Sequence, residues 1–196
     1  MFRWLALAIV LVAFGVSGYH RRKAYRGGGK IPRRREGPLL VALRILFAVP
    51  LYAVLLAYLI EPRWVAWASF VLPDGVRWAA VAAAFGMIPA VVWIFRSLGT
   101  NVSETVLTKE GQKLVTRGPY RWVRHPLYTA GLTLLACLSL IAANWLLLGL
   151  TAVAGVAIAG AVVPLEERAL LAAFGAEFET YRARTGRFLP RMNLAL

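Results

Sequence analysis

The chain has 196 residues, 60% of them hydrophobic, and a formal net charge of +14. That apolar share is far above that of a soluble globular domain, and its long apolar runs exclude a soluble enzyme. The basic excess maps to one face of a membrane rather than to a soluble module, which argues against nucleic-acid binding.

The runs predict an all-α fold: one polytopic membrane bundle of about five transmembrane helices, closed by a C-terminal cytoplasmic amphipathic helix. The first span is read from Trp4 to Tyr19. Arg3 precedes it, as in a secretory signal, but one charge makes a poor n-region and eight basic residues follow, so it is expected to be a retained span. The second runs from Leu39 to Ile60. Trp64 to Leu72 is too short to cross and is expected to lie in the interface, held by Trp64 and Trp67. The third span is Val76 to Phe95, the fourth Pro126 to Ala143 and the fifth Trp145 to Val163. The fourth holds the single cysteine, Cys137, which therefore reads as a small core residue with no disulfide partner in the chain.

Charge sets the expected orientation. Eight Lys or Arg residues lie between Arg21 and Arg35; Lys109, Lys113, Arg117, Arg121 and Arg124 precede the fourth span; Arg168, Arg182, Arg184, Arg187 and Arg191 follow the fifth. The other side has only Arg3, Arg63 and Arg77. The positive-inside rule then places the N-terminus outside and the C-terminus in the cytoplasm, in a membrane of the bacterial inner (plasma) type.

Spans four and five are joined only by Ala143, Asn144 and Trp145, which predicts a tight helical hairpin, with Gly149, Gly155, Ala159 and Gly160 offering small faces for packing. Pro164 is expected to end or kink the fifth span. A helix from Leu165 to about Arg184 follows, in which Glu167, Leu171, Phe174, Phe178 and Tyr181 form one stripe. Glu166 lines up instead with Leu170, Ala173 and Glu177.

The chemistry gathers at the two ends of this hairpin. His125 directly precedes Pro126, at the N-cap of the fourth span, where orphan amides and the helix dipole make an anion site. Glu166 and Glu167 directly follow the fifth span, and carboxylates at membrane depth are functional candidates. Arg121, Arg124, Tyr120 and Tyr128 complete the set, whereas Arg182 and Arg187 read as headgroup contacts. A ligand matching this set has an anionic group for Arg124 and His125, a cationic group for the glutamates, and a flat ring. S-adenosylmethionine qualifies; nucleotides and lipid headgroups satisfy much of the same pattern. Glu167 on the apolar stripe needs a cation. Arg124 or Arg121 and the cation of the donor are the alternatives, and the donor is favoured.

Gly118-Pro-Tyr-Arg-Trp-Val-Arg-His-Pro-Leu-Tyr128, a hairpin, Glu166-Glu167-Arg-Ala-Leu170, Phe174-Gly175 and Tyr181-Arg182 together resemble the isoprenylcysteine carboxyl methyltransferases and the related phospholipid N-methyltransferases. The resemblance covers residues 96 to 191. It implies S-adenosyl-L-methionine in a cytoplasm-facing pocket and a lipophilic acceptor, a carboxylate or an amine, entering from the membrane. It implies cofactor contacts from Gly118, Tyr120, His125 and Tyr128, with Glu166 and Glu167 closing the site and Leu114 and Val115 giving backbone contacts to the nucleoside. Phe178 departs from the pattern, where many members have tyrosine. Residues 1 to 95 match no motif and are expected to determine the acceptor.

Methyl transfer from a sulfonium needs alignment and exclusion of water more than proton chemistry. Glu167 and Arg124 are the candidate catalytic residues, Glu167 as the base for an amine acceptor. No metal is expected, because His20 and His125 lack ligand spacing, and nothing points to an obligate protein partner. The alternatives are a sterol-reductase-like enzyme using a nicotinamide cofactor and a non-catalytic lipid-binding protein.

Overall fold

The computed structural model describes residues 1–28, 37–102 and 113–191. Lys30, Arg33, Arg34, Arg35 and Lys109 of the basic clusters lie outside the described residues. The described residues form seven α-helices: α1 (Phe2–Gly28), α2 (Pro38–Ile60), α3 (Asp74–Leu98), α4 (Pro126–Ala142), α5 (Trp145–Ala157), α6 (Val163–Phe174) and α7 (Ala176–Arg184). Among the described residues there is no strand, only the isolated bridges Ser69 with Asn144 and Val123 with Gly186.

Among the described residues four helical stretches are long and apolar enough to cross a membrane: Phe2–Arg26, Leu40–Ile60, Asp74–Asn101 and Trp145–Phe174. Pro126–Ala142 is apolar but shorter, at 17 residues, or roughly 26 Å at the α-helical rise. The protein is therefore an integral membrane protein, whose expected five spans are four long helices and this short one.

Capping chemistry sets the boundaries. Gly37 adopts φ 91° and Pro38 opens α2, which ends at Glu61; the Glu61 side chain accepts from the Arg63 amide to start a 3-10 turn, Pro62–Ala68. That turn is the expected interfacial segment, with Trp64 and Trp67 exposed and Val65 and Ala68 buried. The hairpin between α4 and α5 turns on Ala143, in the left-handed region at φ 49°, and on Asn144, which is 1% exposed. The Asn144 side chain accepts from the Leu147 amide at 2.9 Å and donates to the Val65 carbonyl at 3.0 Å. One buried amide thus caps α5 and ties the 3-10 turn to the hairpin.

Contacts at this end fix the helix directions. Arg77 of α3 donates to the Ile141 carbonyl at 2.8 and 3.1 Å, satisfying a C-terminal orphan of α4, and lies over the Phe2 ring at 3.8 Å. The main core sits in this half, built on Ala6, Ile9, Ala84, Ile141 and Leu147, all fully buried. Smaller clusters at the other, basic end join Ala24, Phe95 and Val102, and Ile94, Tyr120 and Ala130. Cys137 is buried in the main core, as expected. Of the small residues on the fifth span, Gly155 faces α4, where a side-chain carbon would meet Leu132 at 3.6 Å, whereas Gly149 and Gly160 face open space.

Two expectations are corrected. Pro164 does not end the fifth span. A π-helical segment, Ile158–Val162, precedes it, and the helix runs on to Phe174. Proline has no N–H to give the ladder, and the wider π turn accommodates that loss. The expected single helix from Leu165 to Arg184 is instead broken at Gly175, with φ 50°. An α-helix cannot continue through that conformation, so α7 sets off in a new direction.

Candidate functional site

The site lies at the basic end, where α4 begins and α6 follows the π segment. Leading into it, Gly118 starts a short 3-10 turn, Gly118–Arg121, at φ 60°. A side-chain carbon at 118 would overlap the Ser97 hydroxyl and touch the Trp93 indole at 3.4 Å. Gly118 is therefore a close-packing residue against α3. Val115 packs with Ile94 and Tyr120, and Leu114 is half-buried in the same extended segment. These two share the loop with the site but are not part of its hydrogen-bonded cluster.

The rest of the loop is held by the C-terminal end of the chain. The Gly186 amide donates to the Trp122 carbonyl at 3.1 Å; the Arg124 and His125 amides donate to the Gly186 and Arg187 carbonyls at 2.8 and 3.0 Å. The Thr129 hydroxyl donates to the Phe188 carbonyl at 3.0 Å, and the Tyr181 hydroxyl to the Tyr120 carbonyl at 2.7 Å. Burial raises the Tyr181 phenol well above its ordinary range, so it stays a donor. Residues Thr185 to Phe188 thus form a strap across the entrance to α4. Of the amides expected to await an anion at the start of α4, that of His125 is already satisfied by the chain itself.

Glu167 lies beneath the strap, its side chain 7% exposed. One carboxylate oxygen accepts from Arg124 Nε at 2.9 Å and faces His125 Nε2 at 3.2 Å; the other accepts from Arg187 at 2.9 Å. Arg124 is itself only 10% exposed and also donates to the Arg182 and Thr185 carbonyls. The favoured sequence reading, a donor cation as the partner of Glu167, is therefore corrected to the alternative: Arg124 pairs with it, joined by Arg187, and the His125 ring lies within hydrogen-bond reach. His125 does not cap α4 through its side chain; its ring goes to Glu167.

Glu166 is placed differently. It accepts from the Tyr128 hydroxyl at 3.0 Å, and His125 Nδ1 lies 3.9 Å away, beyond hydrogen-bond reach. His125 and Tyr128 have ring centroids 5.9 Å apart, and Phe188 covers His125 from the strap at 6.2 Å. Tyr120 is buried beside them, its phenol raised well above its usual range, first by burial and then by the charge of Glu166. Arg124, His125, Tyr128, Glu166 and Glu167 are thus brought together as expected, with Tyr120 adjoining. Among the described residues no group of His, Cys, Asp and Glu side chains is arranged to hold a metal ion.

The strap is what the sequence did not reveal. Arg187 reads as a headgroup contact, yet it completes the Glu167 cluster. The available signal is Gly186: a side-chain carbon there would collide with the Leu189 carbonyl, and a glycine soon after a helix marks a tight turn.

Comparison with known proteins identifies the family. The uncharacterized protein YpbQ of Bacillus subtilis is 28% identical over 130 residues, 64% of this chain and 70% of that protein. The cobalt-zinc-cadmium resistance protein CzcN of Cupriavidus metallidurans is 36% identical over 86 residues, 44% of this chain and 39% of that protein. The model of the phospholipid methyltransferase family matches residues 76–177, from the first turn of α3 into α7, with Gly118, His125, Tyr128, Glu166 and Glu167 inside the match. With just over half its length covered, this chain belongs to the phospholipid methyltransferase family, a family of membrane methyltransferases.

Proposed function

We propose that the protein is an S-adenosyl-L-methionine-dependent methyltransferase that acts on a lipophilic acceptor, with its site and C-terminus in the cytoplasm and its N-terminus outside. The observation that carries this reading is the division of labour between adjacent glutamates. Glu167 is saturated by protein cations, whereas Glu166 has a single hydrogen-bond donor among the described residues, Tyr128. A carboxylate with spare acceptor capacity, beside Tyr128 and Tyr120 and near His125, which Phe188 covers, suits a ligand that pairs a cation with a flat ring. When bound, the donor supplies a methyl group on a sulfonium, activated without metal or base.

The chain's own groups then bind and align. Glu166 holds the cationic or hydroxyl-bearing part of the donor, oriented by Tyr128. Glu167 is a positioning residue: it fixes Arg124, His125 and the strap. The strap covers the entrance to α4 and excludes water. An acceptor carboxylate needs no base; for a protonated amine, Glu166 is better placed than Glu167, whose oxygens are already engaged. Residues 1–95 supply the acceptor's route from the membrane.

A thermal-shift series in detergent tests the cofactor. S-adenosylhomocysteine at a hundredfold excess over its Kd should stabilise the protein by about 2.7 kcal/mol. Stabilisation by NADPH alone would favour a reductase, and by neither a non-catalytic lipid-binding protein. Tyr128→Phe, which removes the donor to Glu166, should weaken S-adenosylhomocysteine binding about tenfold with little change in ligand-free melting. Unchanged affinity would remove Tyr128 and Glu166 from the cofactor site.

Orientation is tested separately. Reporter fusions after Arg26, Asp74, Lys113, Asn144 and Arg191 should read in, out, in, out, in. An external signal at Lys113 would place the site away from a cytoplasmic donor and refute the topology.

A further inference from the structure

A groove of about 700 Å³ runs along α1, away from the His125 cluster and outside the family-matched residues. Its walls are the exposed rings of Phe14 and Tyr19, which are 57% and 63% exposed, and Phe14 meets Tyr52 of α2 at a 6.0 Å ring separation. Its floor is Gly15 and Gly18, where an added side-chain carbon would meet nothing within 4 Å. The groove is therefore open rather than filled by a neighbouring helix. Its lower end carries Arg22, Lys23 and Arg26, all exposed. Among the described residues none of the three is in an ion pair, whereas neighbouring Arg21 donates to Ser17 at 3.0 Å.

An aromatic-walled apolar channel that ends in three cations has the two-part polarity of one lipid molecule. Acyl chains fit beside glycines that keep the helix surface low, and an anionic headgroup meets the cations at the level where basic residues contact the membrane surface. A water-soluble anion would leave the apolar length unfilled. A partner helix would have to cover three cations, and among the described residues that line the groove none offers a carboxylate to receive such a helix's own basic residues.

We infer that this groove on α1 holds an anionic phospholipid as a resident ligand. Phenylalanine and tyrosine grip the chains, and Arg22, Lys23 and Arg26 select the headgroup.

Native mass spectrometry of the full chain tests this, with equimolar phosphatidylglycerol and phosphatidylcholine of identical acyl chains added in detergent. Wild type should retain phosphatidylglycerol about tenfold over phosphatidylcholine, an effect of the size expected for a few cations near a headgroup. R22Q/K23Q/R26Q should bring the two lipids to near-equal retention. Gly15→Leu with Gly18→Leu fills the floor, leaves every charge in place, and should abolish retention of both. Equal retention by wild type overturns the proposal. So does undiminished phosphatidylglycerol retention in the leucine variant, which would mean a basic surface without a groove. Should the triple variant fail to fold, the single variants on these exposed side chains should each lower the preference about threefold, and three unchanged preferences overturn it equally. The assay needs no methyl donor, so its outcome is independent of the proposed activity.

Discussion

Glu167→Gln should cost about 3 kcal/mol or more of ligand-free stability, the scale of breaking a buried ion pair by removing one partner. The amide keeps the shape of the side chain but leaves Arg124, 10% exposed, facing a neutral group. Arg124 cannot reach water to recover, because it is also tied to the Arg182 and Thr185 carbonyls. Arg187→Gln should cost much less, since that arginine is 42% exposed and its loss leaves Glu167 with Arg124 and His125. Melting in detergent without ligand, alongside S-adenosylhomocysteine binding on the same sample, distinguishes the roles. A Glu167→Gln protein with wild-type melting and lost binding would make Glu167 a donor-binding residue instead of the holder of the cluster.

The second large effect is expected at Gly186. A side-chain carbon there would collide with the Leu189 carbonyl and lie 3.1 Å from the Arg191 amide nitrogen. Both are backbone atoms, so the strap itself must move. Gly186→Ala should therefore cost about 1–3 kcal/mol, the usual range for overpacking. It should also release the pairing between residues 122–125 and 185–187. Hydrogen exchange reads this directly: the Arg124 and His125 amides, which now donate to the strap, should lose protection while α5 keeps its own. Unchanged protection at those two amides would mean that the loop is held without the strap.

Much of the fold was legible because a membrane enforces simple rules. Apolar length located each span but not all of its ends: the fifth runs eleven residues past Val163, to Phe174, and the first helix runs on past Tyr19. Ala143 and Asn144 were too few to make anything but a hairpin, and Trp64 and Trp67 marked an interfacial turn. The site was legible where it depended on that hairpin. His125, Tyr128, Glu166 and Glu167 are some forty residues apart in the chain and meet because two helix ends must. What could not be read depended on backbone hydrogen bonds or on helical winding. The break at Gly175 looked like a tolerated glycine on a continuous stripe through Phe174 and Phe178. The strap pairs main-chain groups, which leave no trace in side-chain type. Arg187 looked like every other basic residue near a headgroup. The partner of Glu167 was undecidable because Arg124 and a donor cation satisfy the same electrostatic demand.

The π segment Ile158–Val162 has a consequence for which face Glu167 occupies. Gly155 points at Leu132 of α4. Glu167 is twelve residues further on; at about 100° per residue an unbroken α-helix would carry it roughly 120° round the axis from Gly155. A π turn adds about one residue without adding a turn, a lag of roughly 100°, which brings Glu167 to within about 20° of Gly155. The phase slip thus delivers the carboxylate to the side of α4, whose entrance is formed by Arg124 and His125. The position of Glu167 is accordingly encoded by a residue count, with the identities of Ile158, Ala159, Gly160, Ala161 and Val162 secondary. These positions should accept apolar substitutions readily. Deleting Ala159 should rotate Glu167 off the α4 face while the packing of α5 upstream stays intact, and loss of the Arg124 pair with preserved helix content would register that rotation.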